Sequence, residues 1–280
     1  MTVPHERIPL AGVIGSPVAH SKSPRLHGYW LRRYGIKGFY IPMDVAQADL
    51  EQVLRMLPKQ GFIGLNVTIP HKETVLAIAD VVTDRAALIG AANTLLFRKD
   101  GRIQADNTDG AGFLANLQQH APGWDARAAP AAVLGAGGAS RAVIASLLAA
   151  GVPEIRLANR SRGRAETLRS EFGARITVCD WTQAASMFEG AGTVVNTTSL
   201  GMTGKPDFRV PLDGLDRRAL VTDLVYTPLM TQFLIEAKAR GCQVVDGLGM
   251  LLHQAAPGFE RWFGQRPEVD DDTRAAVLQA

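Results

Sequence analysis

From residue 131 onward the sequence repeats one unit: a short apolar run that reads as a strand, then an amphipathic run that reads as a helix. "AAVLG" precedes "ASRAVIASLLAAG", and "IRLAN" precedes "RAETLRSEFG". "RITVCD", "TVVNTTS", "ALVTDLVY" and "CQVVDG" follow as further strands, and "LMTQFLIEAKARG" reads as a helix with a glycine stop. Strands separated by helical crossovers pair in parallel, because a tight hairpin cannot return the chain in the same direction. The rhythm therefore predicts a parallel α/β sheet.

The first part keeps the rhythm with one departure. "AGVIG", "GFYIPMDV" and "FIGLNVTI" read as strands, while "PRLHGYWLRRYG" and "PHKETVLAIAD" read as helices. "NTLLFRKDGRIQADNTD" reads as a hairpin, because Asp100-Gly101 suits a tight turn. An antiparallel pair beside parallel strands predicts a mixed sheet. The polar stretch 116–130, "NLQQHAPGWDARAAP", is the candidate junction. We therefore expect two domains, residues 1–115 and 116–247, with helices over 248–280 packing back on the first.

With 30 basic against 27 acidic residues and no long basic run, nucleic acid is not an expected partner. The two cysteines, Cys179 and Cys242, form no CxxC pair. The start, "MTVPHERIPL", lacks the pattern of a signal peptide, and no apolar run approaches the roughly 18 residues of a membrane span. A cytoplasmic protein is the expectation. The six histidines show no metal-ligand spacing, and no metal is expected.

The stretch "AAVLGAGGASRAV" sets Gly135, Gly137 and Gly138 between a strand and a helix. One glycine makes the turn, and the next lets the backbone approach a pyrophosphate seated on the helix N-terminus. Ser140 stands where the G-x-G-x-x-G pattern has its third glycine, a position that only has to be small. One unit further on comes "ANRSRGRAE". An NAD site carries a carboxylate there for the ribose 2′-hydroxyl. Asn159, Arg160, Ser161 and Arg164 instead suit a 2′-phosphate, which guanidinium groups bind through paired, charge-assisted hydrogen bonds. Arginines at a helix start also oppose the macrodipole unless an anion sits there. The expected cofactor is NADP, with Arg162 facing solvent.

In "GLNVTIPHKE", Asn66 and Thr68 point to one face of a strand. Pro70 suits the first position of a helix, which would put Lys72 in the first turn. There the positive end of the dipole disfavours its cation, which makes Lys72 a candidate acid/base. In "HSKSPRLHGYW", Ser23 before Pro24 reads as an ordinary N-cap, while Ser21 has no structural assignment. Asn93 and Asp109 stand at strand ends, where both types are common turn formers.

The ordered set "GVIGSPVAHSKSP", "NVTIPHK", "GAANTL", "DNTDG", "GAGGAS", "NRSRGR", "NTTSLGM" and "DGLGMLLHQA" resembles the shikimate dehydrogenase family over roughly residues 10 to 265. The resemblance implies an N-terminal mixed-sheet substrate domain, a Rossmann NADP-binding domain, and an active site between them. It implies reduction of 3-dehydroshikimate to shikimate in aromatic amino-acid biosynthesis, by a monomer or homodimer acting on a small molecule. Lys72 matches the family's catalytic lysine and Asp109 its partner. Ser21 and Ser23 match the pair that binds the substrate carboxylate. Thr68, Asn93, Asp109 and Gln254 match ligands of the ring hydroxyls, and Asn66 and Tyr226 line the same pocket. The pyrophosphate turn is Gly135, Ala136, Gly137, Gly138 and Ala139, and the 2′-phosphate clamp runs from Asn159 to Arg164. Leu224, Gly247 and Met250 fall where the family contacts the nicotinamide. His71 departs from the phenylalanine of many relatives.

Two other activities use similar parts. A catabolic quinate/shikimate dehydrogenase often favours NAD and alters the second serine, whereas this chain keeps Ser23 and has Arg160 rather than an acid. A non-catalytic NADP-binding protein would have lost Lys72 or Asp109, and both are present.

Overall fold

The computed structural model describes residues 8–279. The first seven residues, part of the stretch read as lacking a signal peptide, lie outside the described residues. The strands are β1 (Leu10–Gly15), β2 (Phe39–Asp44), β3 (Phe62–Val67), β4 (Val81–Val82), β5 (Thr94–Phe97), β6 (Ile103–Asp106), β7 (Ala131–Leu134), β8 (Ile155–Ala158), β9 (Ile176–Cys179), β10 (Thr193–Asn196), β11 (Leu220–Asp223) and β12 (Gln243–Val245). The α-helices are α1 (Ser23–Arg33), α2 (Leu50–Met56), α3 (Val75–Ile78), α4 (Asp84–Ile89), α5 (Asp109–His120), α6 (Gly138–Ala150), α7 (Arg162–Phe172), α8 (Gln232–Ala239), α9 (Leu248–Phe263) and α10 (Asp271–Leu278). Chain contacts divide these into two units, Met1–Thr108 with Leu252–Ala280, and Asp109–Leu251. The stretch 116–130, expected to be a junction, begins instead inside α5. That helix buries Phe113 and Leu117 in the core of the second unit, so the division falls ahead of it.

The first unit holds the sheet β2-β1-β3-β5-β6-β4. β1 pairs in parallel with β2 and β3, while β3–β5 and β5–β6 are antiparallel, as the hairpin signal predicts. One core joins Ile14, Leu65, Val67, Leu95 and Ile103 to Leu50, Leu54 and Val75. An aromatic group from α1, β2 and α9 (Trp30, Tyr40, Phe259 and Trp262) surrounds His27. The second unit holds an all-parallel sheet in the order β9-β8-β7-β10-β11-β12. The order reverses between β7 and β10, where open α/β sheets leave a crevice at their carboxyl ends. Among the described residues, no helix is long and apolar enough to cross a membrane.

Tertiary contacts override local preference in one place that matters for the site. "PHKETVLAIAD" is helical only over α3, four residues, and 69–74 form successive turns. A continuous helix would need the Lys72 carbonyl for the amide of Leu76. That carbonyl instead accepts from Ala92 N at 2.7 Å, and Leu76 N bonds Glu73 O. Lys72 therefore precedes the helix rather than sitting in its first turn, and the dipole argument does not apply to it.

His27 is fully buried, and neither ring nitrogen has a hydrogen-bond partner among the described residues. Its ring stacks on Tyr40 at 3.9 Å between centroids and 2° between planes. Burial holds its imidazole down from 6.5 to about 3. The unfolded chain protonates this histidine near its ordinary value, the folded chain far below. Its stabilising contribution is complete above about pH 6.5 and is lost by about 1.4 kcal/mol per pH unit as pH falls toward 3. His27→Phe should remove that component. Unfolding free energies taken across this acid range should fall less steeply for the variant than for the parent, and parallel curves would refute the assignment.

Candidate active site

In the first unit the polar residues singled out from sequence stand near the carboxyl end of β3, just before β5, at the start of α1 and on α9. Ser23 is the first residue of α1, and the cap position is Lys22, which makes no side-chain cap bond. The expected cap role of Ser23 is thus displaced. Ser21 Oγ accepts the amide of Ser23 at 3.3 Å, so Ser21 does the local bonding at the start of α1. Thr68 follows β3 directly. Its amide bonds Ile14 O, and its carbonyl accepts from His71 N. His71 is buried, with Nε2 2.8 Å from Val45 O, which ties the Lys72 turn to the end of β2.

Behind this turn lies a buried amide network. Asn66 Nδ2 donates to Asn93 O at 3.2 Å. Asn93 Nδ2 donates to Thr108 Oγ1 at 2.9 Å and to Gln254 Oε1 at 2.8 Å. Its Oδ1 accepts from Thr108 N at 2.8 Å and from Thr94 Oγ1 at 3.0 Å. Three expected substrate ligands, Asn66, Asn93 and Gln254, are therefore joined, although Gln254 lies 161 residues beyond Asn93 in the chain. Asp106 anchors the preceding strand. Burial alone would raise its carboxyl, but bonds from Arg85, Arg261 and Thr83 hold it down to about 2.

Thr94 and Thr108 escaped sequence reasoning. Each sits beside a residue that was singled out, inside "GAANTL" and "DNTDG". Threonine at the end of an apolar strand was the only signal for either.

In the second unit the glycine turn has the expected frame. Gly135 takes φ +111°, and a Cβ there would lie 2.5 Å from Thr197 Oγ1, so the turn requires glycine. Gly137 differs, because its φ is −103° and a Cβ would meet nothing within 4 Å. Nothing in the protein demands glycine at 137, which fits a position kept bare for a ligand. Gly138 and Ala139 open α6, a helix of 13 residues whose N-cap, Gly137, makes no side-chain bond to its first amides. Ala136 is buried at the top of the turn. Ser140 Oγ donates to Gly135 O at 2.5 Å, so the residue in place of the third glycine braces the turn.

Asn159 Nδ2 donates to Ser161 O at 2.8 Å, which curls the loop into α7, and Ser161 caps that helix without a side-chain bond. Arg162 is engaged by Glu166 at 3.0 Å and by Asp180, so it is paired rather than simply facing solvent. Arg160 and Arg164 are exposed and have no ion-pair partner among the described residues. The set fits a dinucleotide carrying an extra phosphate: a bare turn, an open helix start, and two uncommitted guanidinium groups.

Leu224 follows β11, its amide bonded to Asn196 O. Gly247 packs against it so closely that a Cβ would lie 2.5 Å from Leu224 O. Met250 is buried in the core of this unit, and Tyr226 is half-buried. Asp109, buried, is the first residue of α5. Asp223 was not anticipated. Burial raises its carboxyl to about 6, although Val225 N, Thr231 Oγ1 and Asn196 Nδ2 donate to it. It holds the segment that carries Leu224 and Tyr226, and its signal was an acid closing the apolar run "ALVTD". Among the described residues, no group of three His, Cys, Asp or Glu side chains is placed to hold a metal ion.

Residues 13–95 match the shikimate dehydrogenase substrate binding domain, 117–202 the shikimate / quinate 5-dehydrogenase family, and 247–277 the shikimate 5′-dehydrogenase C-terminal domain. The chain is 75% identical to the shikimate dehydrogenase (NADP(+)) of Cereibacter sphaeroides, over 98% of both chains. It resembles the crystal structure of shikimate 5-dehydrogenase from Thermus thermophilus in complex with NADP(H) and shikimate, at 38% identity and a TM-score of 0.86, over 97% of this chain and 98% of that one. It also resembles quinate dehydrogenase from Corynebacterium glutamicum in complex with NAD, at 30% identity and a TM-score of 0.88, over 97% and 99%. The chain belongs to the shikimate dehydrogenase family.

Proposed function

We propose that the protein reduces 3-dehydroshikimate to shikimate with NADPH, with Lys72 as the proton donor and Asp109 as its partner. That it is an NADP-dependent oxidoreductase follows from its family and from relatives such as that of Cereibacter sphaeroides. The observation that carries the finer assignment is the buried Asn66–Asn93–Gln254 chain behind the Lys72 turn. Two carboxamides joined side chain to side chain, with a third bonded to the Asn93 backbone carbonyl, gather the donors and acceptors that a polyhydroxylated ring needs. Ser21 and Ser23 at the start of α1 suit the substrate carboxylate, with Thr68 and Tyr226 as further polar contacts. Since Asn93 donates to Gln254, a ring hydroxyl would take over that bond on entering.

A nicotinamide held at this site would supply the hydride for the carbonyl carbon at C3. As charge builds on the oxygen, the Lys72 ammonium gives it a proton and is itself reprotonated from solvent. Asp109 orients Lys72. The 2′-phosphate is assigned to Arg160, Ser161 and Arg164 with Asn159, and the pyrophosphate to the turn from Gly135 to Ala139. Leu224, Gly247 and Met250 are assigned to the nicotinamide. The first unit would serve as the substrate domain and the second as the cofactor domain. The free thiols Cys179 and Cys242 suit a reducing compartment, and we extend the proposal to the cytoplasm.

Purified protein mixed with NADP and shikimate should generate reduced nicotinamide, read by absorbance. Turnover of quinate with NAD, and none of shikimate with NADP, would replace this assignment by the catabolic one. Lys72→Ala should lower kcat by roughly 10²- to 10⁴-fold with little change in KM for shikimate. A fall in kcat under about tenfold would remove Lys72 from the acid role. Arg160→Ala should weaken NADP by roughly 10- to 100-fold while changing NAD little, since only NADP offers the charge-assisted bond. Equal loss for both cofactors in equilibrium titrations would detach Arg160 from the 2′-phosphate.

A further inference from the structure

Tyr40 is the buried residue of β2, a strand at the edge of the first sheet whose other side chains are exposed or half-buried. Its hydroxyl reaches across β1 and donates to Asn66 Oδ1 on β3 at 2.7 Å. The ring is held flat against His27, with Trp262 at 6.2 Å, so the hydroxyl is delivered from a stiff aromatic support. Burial pushes the phenol well above its usual range, and it remains a donor at any working pH.

The consequence falls on Asn66. The two ends of a carboxamide have nearly the same shape, so only hydrogen bonds decide which way it points. Tyr40 donates to the oxygen at 2.7 Å, and the Asn93 backbone carbonyl, which can only accept, faces the nitrogen. That fixes the amide nitrogen toward Asn93 and Thr94. One N–H is taken by Asn93 O at 3.2 Å. The other has only Thr94 Oγ1 at 3.5 Å, the outer limit of a hydrogen bond. The arrangement leaves one weakly committed N–H on Asn66.

We propose that Tyr40 is a positioning residue that orients Asn66 to present an N–H donor, rather than its carbonyl, to a substrate hydroxyl. This rests on the assignment of Asn66 to the substrate pocket. Without the Tyr40 hydroxyl, only the longer bond to Asn93 O favours that orientation, and the bound substrate must hold the amide in place. Tyr40 touches neither substrate nor cofactor in this account. Its effect is on substrate binding and not on the chemical step.

Tyr40→Phe removes one oxygen and keeps the stack on His27. In steady-state kinetics it should raise KM for shikimate by roughly two- to tenfold, the usual worth of one neutral hydrogen bond, with kcat and KM for NADP changed less than about twofold. Asn66→Ala should raise the same KM at least as far. Adding Tyr40→Phe to Asn66→Ala should then produce no further rise, because the group through which Tyr40 acts is gone. An unchanged KM in Tyr40→Phe, with only a lowered Tm, would make the hydroxyl merely structural and overturn the proposal. A full additional rise in the double variant would also overturn it, since Tyr40 would then act elsewhere. If Asn66→Ala itself leaves KM for shikimate unchanged, the pocket role of Asn66 fails and the proposal falls with it. If Asn66→Ala raises KM and Tyr40→Phe does not, only the positioning role fails.

Discussion

The first unit is organised around a single side chain, Asn93. Its carboxamide joins the end of the β5–β6 hairpin, at Thr108, to the middle of α9, at Gln254. Asn93 is buried, and a buried amide left without partners costs about 1–3 kcal/mol. Its four hydrogen-bonding positions are met by Thr108, twice, by Gln254 and by its immediate neighbour Thr94. Helix α9 is therefore held to the first sheet by specific polar bonds as well as by apolar packing. Those bonds lie where the family resemblance puts the substrate.

The second unit solves a different problem with ordinary means. Its sheet is all-parallel, and its order reverses once, beside the glycine turn. The turn, the loop into α7 and the segment after β11 lie at the carboxyl ends of β7, β8 and β11, so three separate stretches of sequence are carried to the same edge of one sheet. Asp223, its carboxyl raised by burial and held by three donors, keeps the last of these stretches in place.

Much of this was legible in the sequence, because parallel strands, glycine stops and the hairpin turn are written in local patterns. The mixed sheet, the parallel sheet and the bare glycine turn followed from them. The misplacements come from polar pairing, long-range in two cases and local in one. The helix expected over Lys72 gave way because Ala92, distant along the chain, takes the carbonyl that the helix needed. The cap expected at Ser23 gave way because Ser21 supplies the acceptor instead. Tyr40 escaped notice because an aromatic residue on a strand ordinarily reads as core, and nothing in "GFYIPMDV" says that its hydroxyl meets Asn66. Periodicity records which face a residue occupies, and long-range polar pairing leaves no such record.

The ion pairs of Arg162 have a consequence for how the α7 loop meets charged molecules. Three arginines in five residues suggest a strongly cationic surface. Yet Arg162 and Arg169 are together matched by Glu166 and Asp180, which leaves Arg160 and Arg164 as the surplus. Two positive charges equal the roughly two negative charges of a phosphate monoester at neutral pH. The occupied loop would be close to neutral, with little field left to gather a polyanion such as nucleic acid. The acids around Arg162 thus bound the loop's reach to one phosphate.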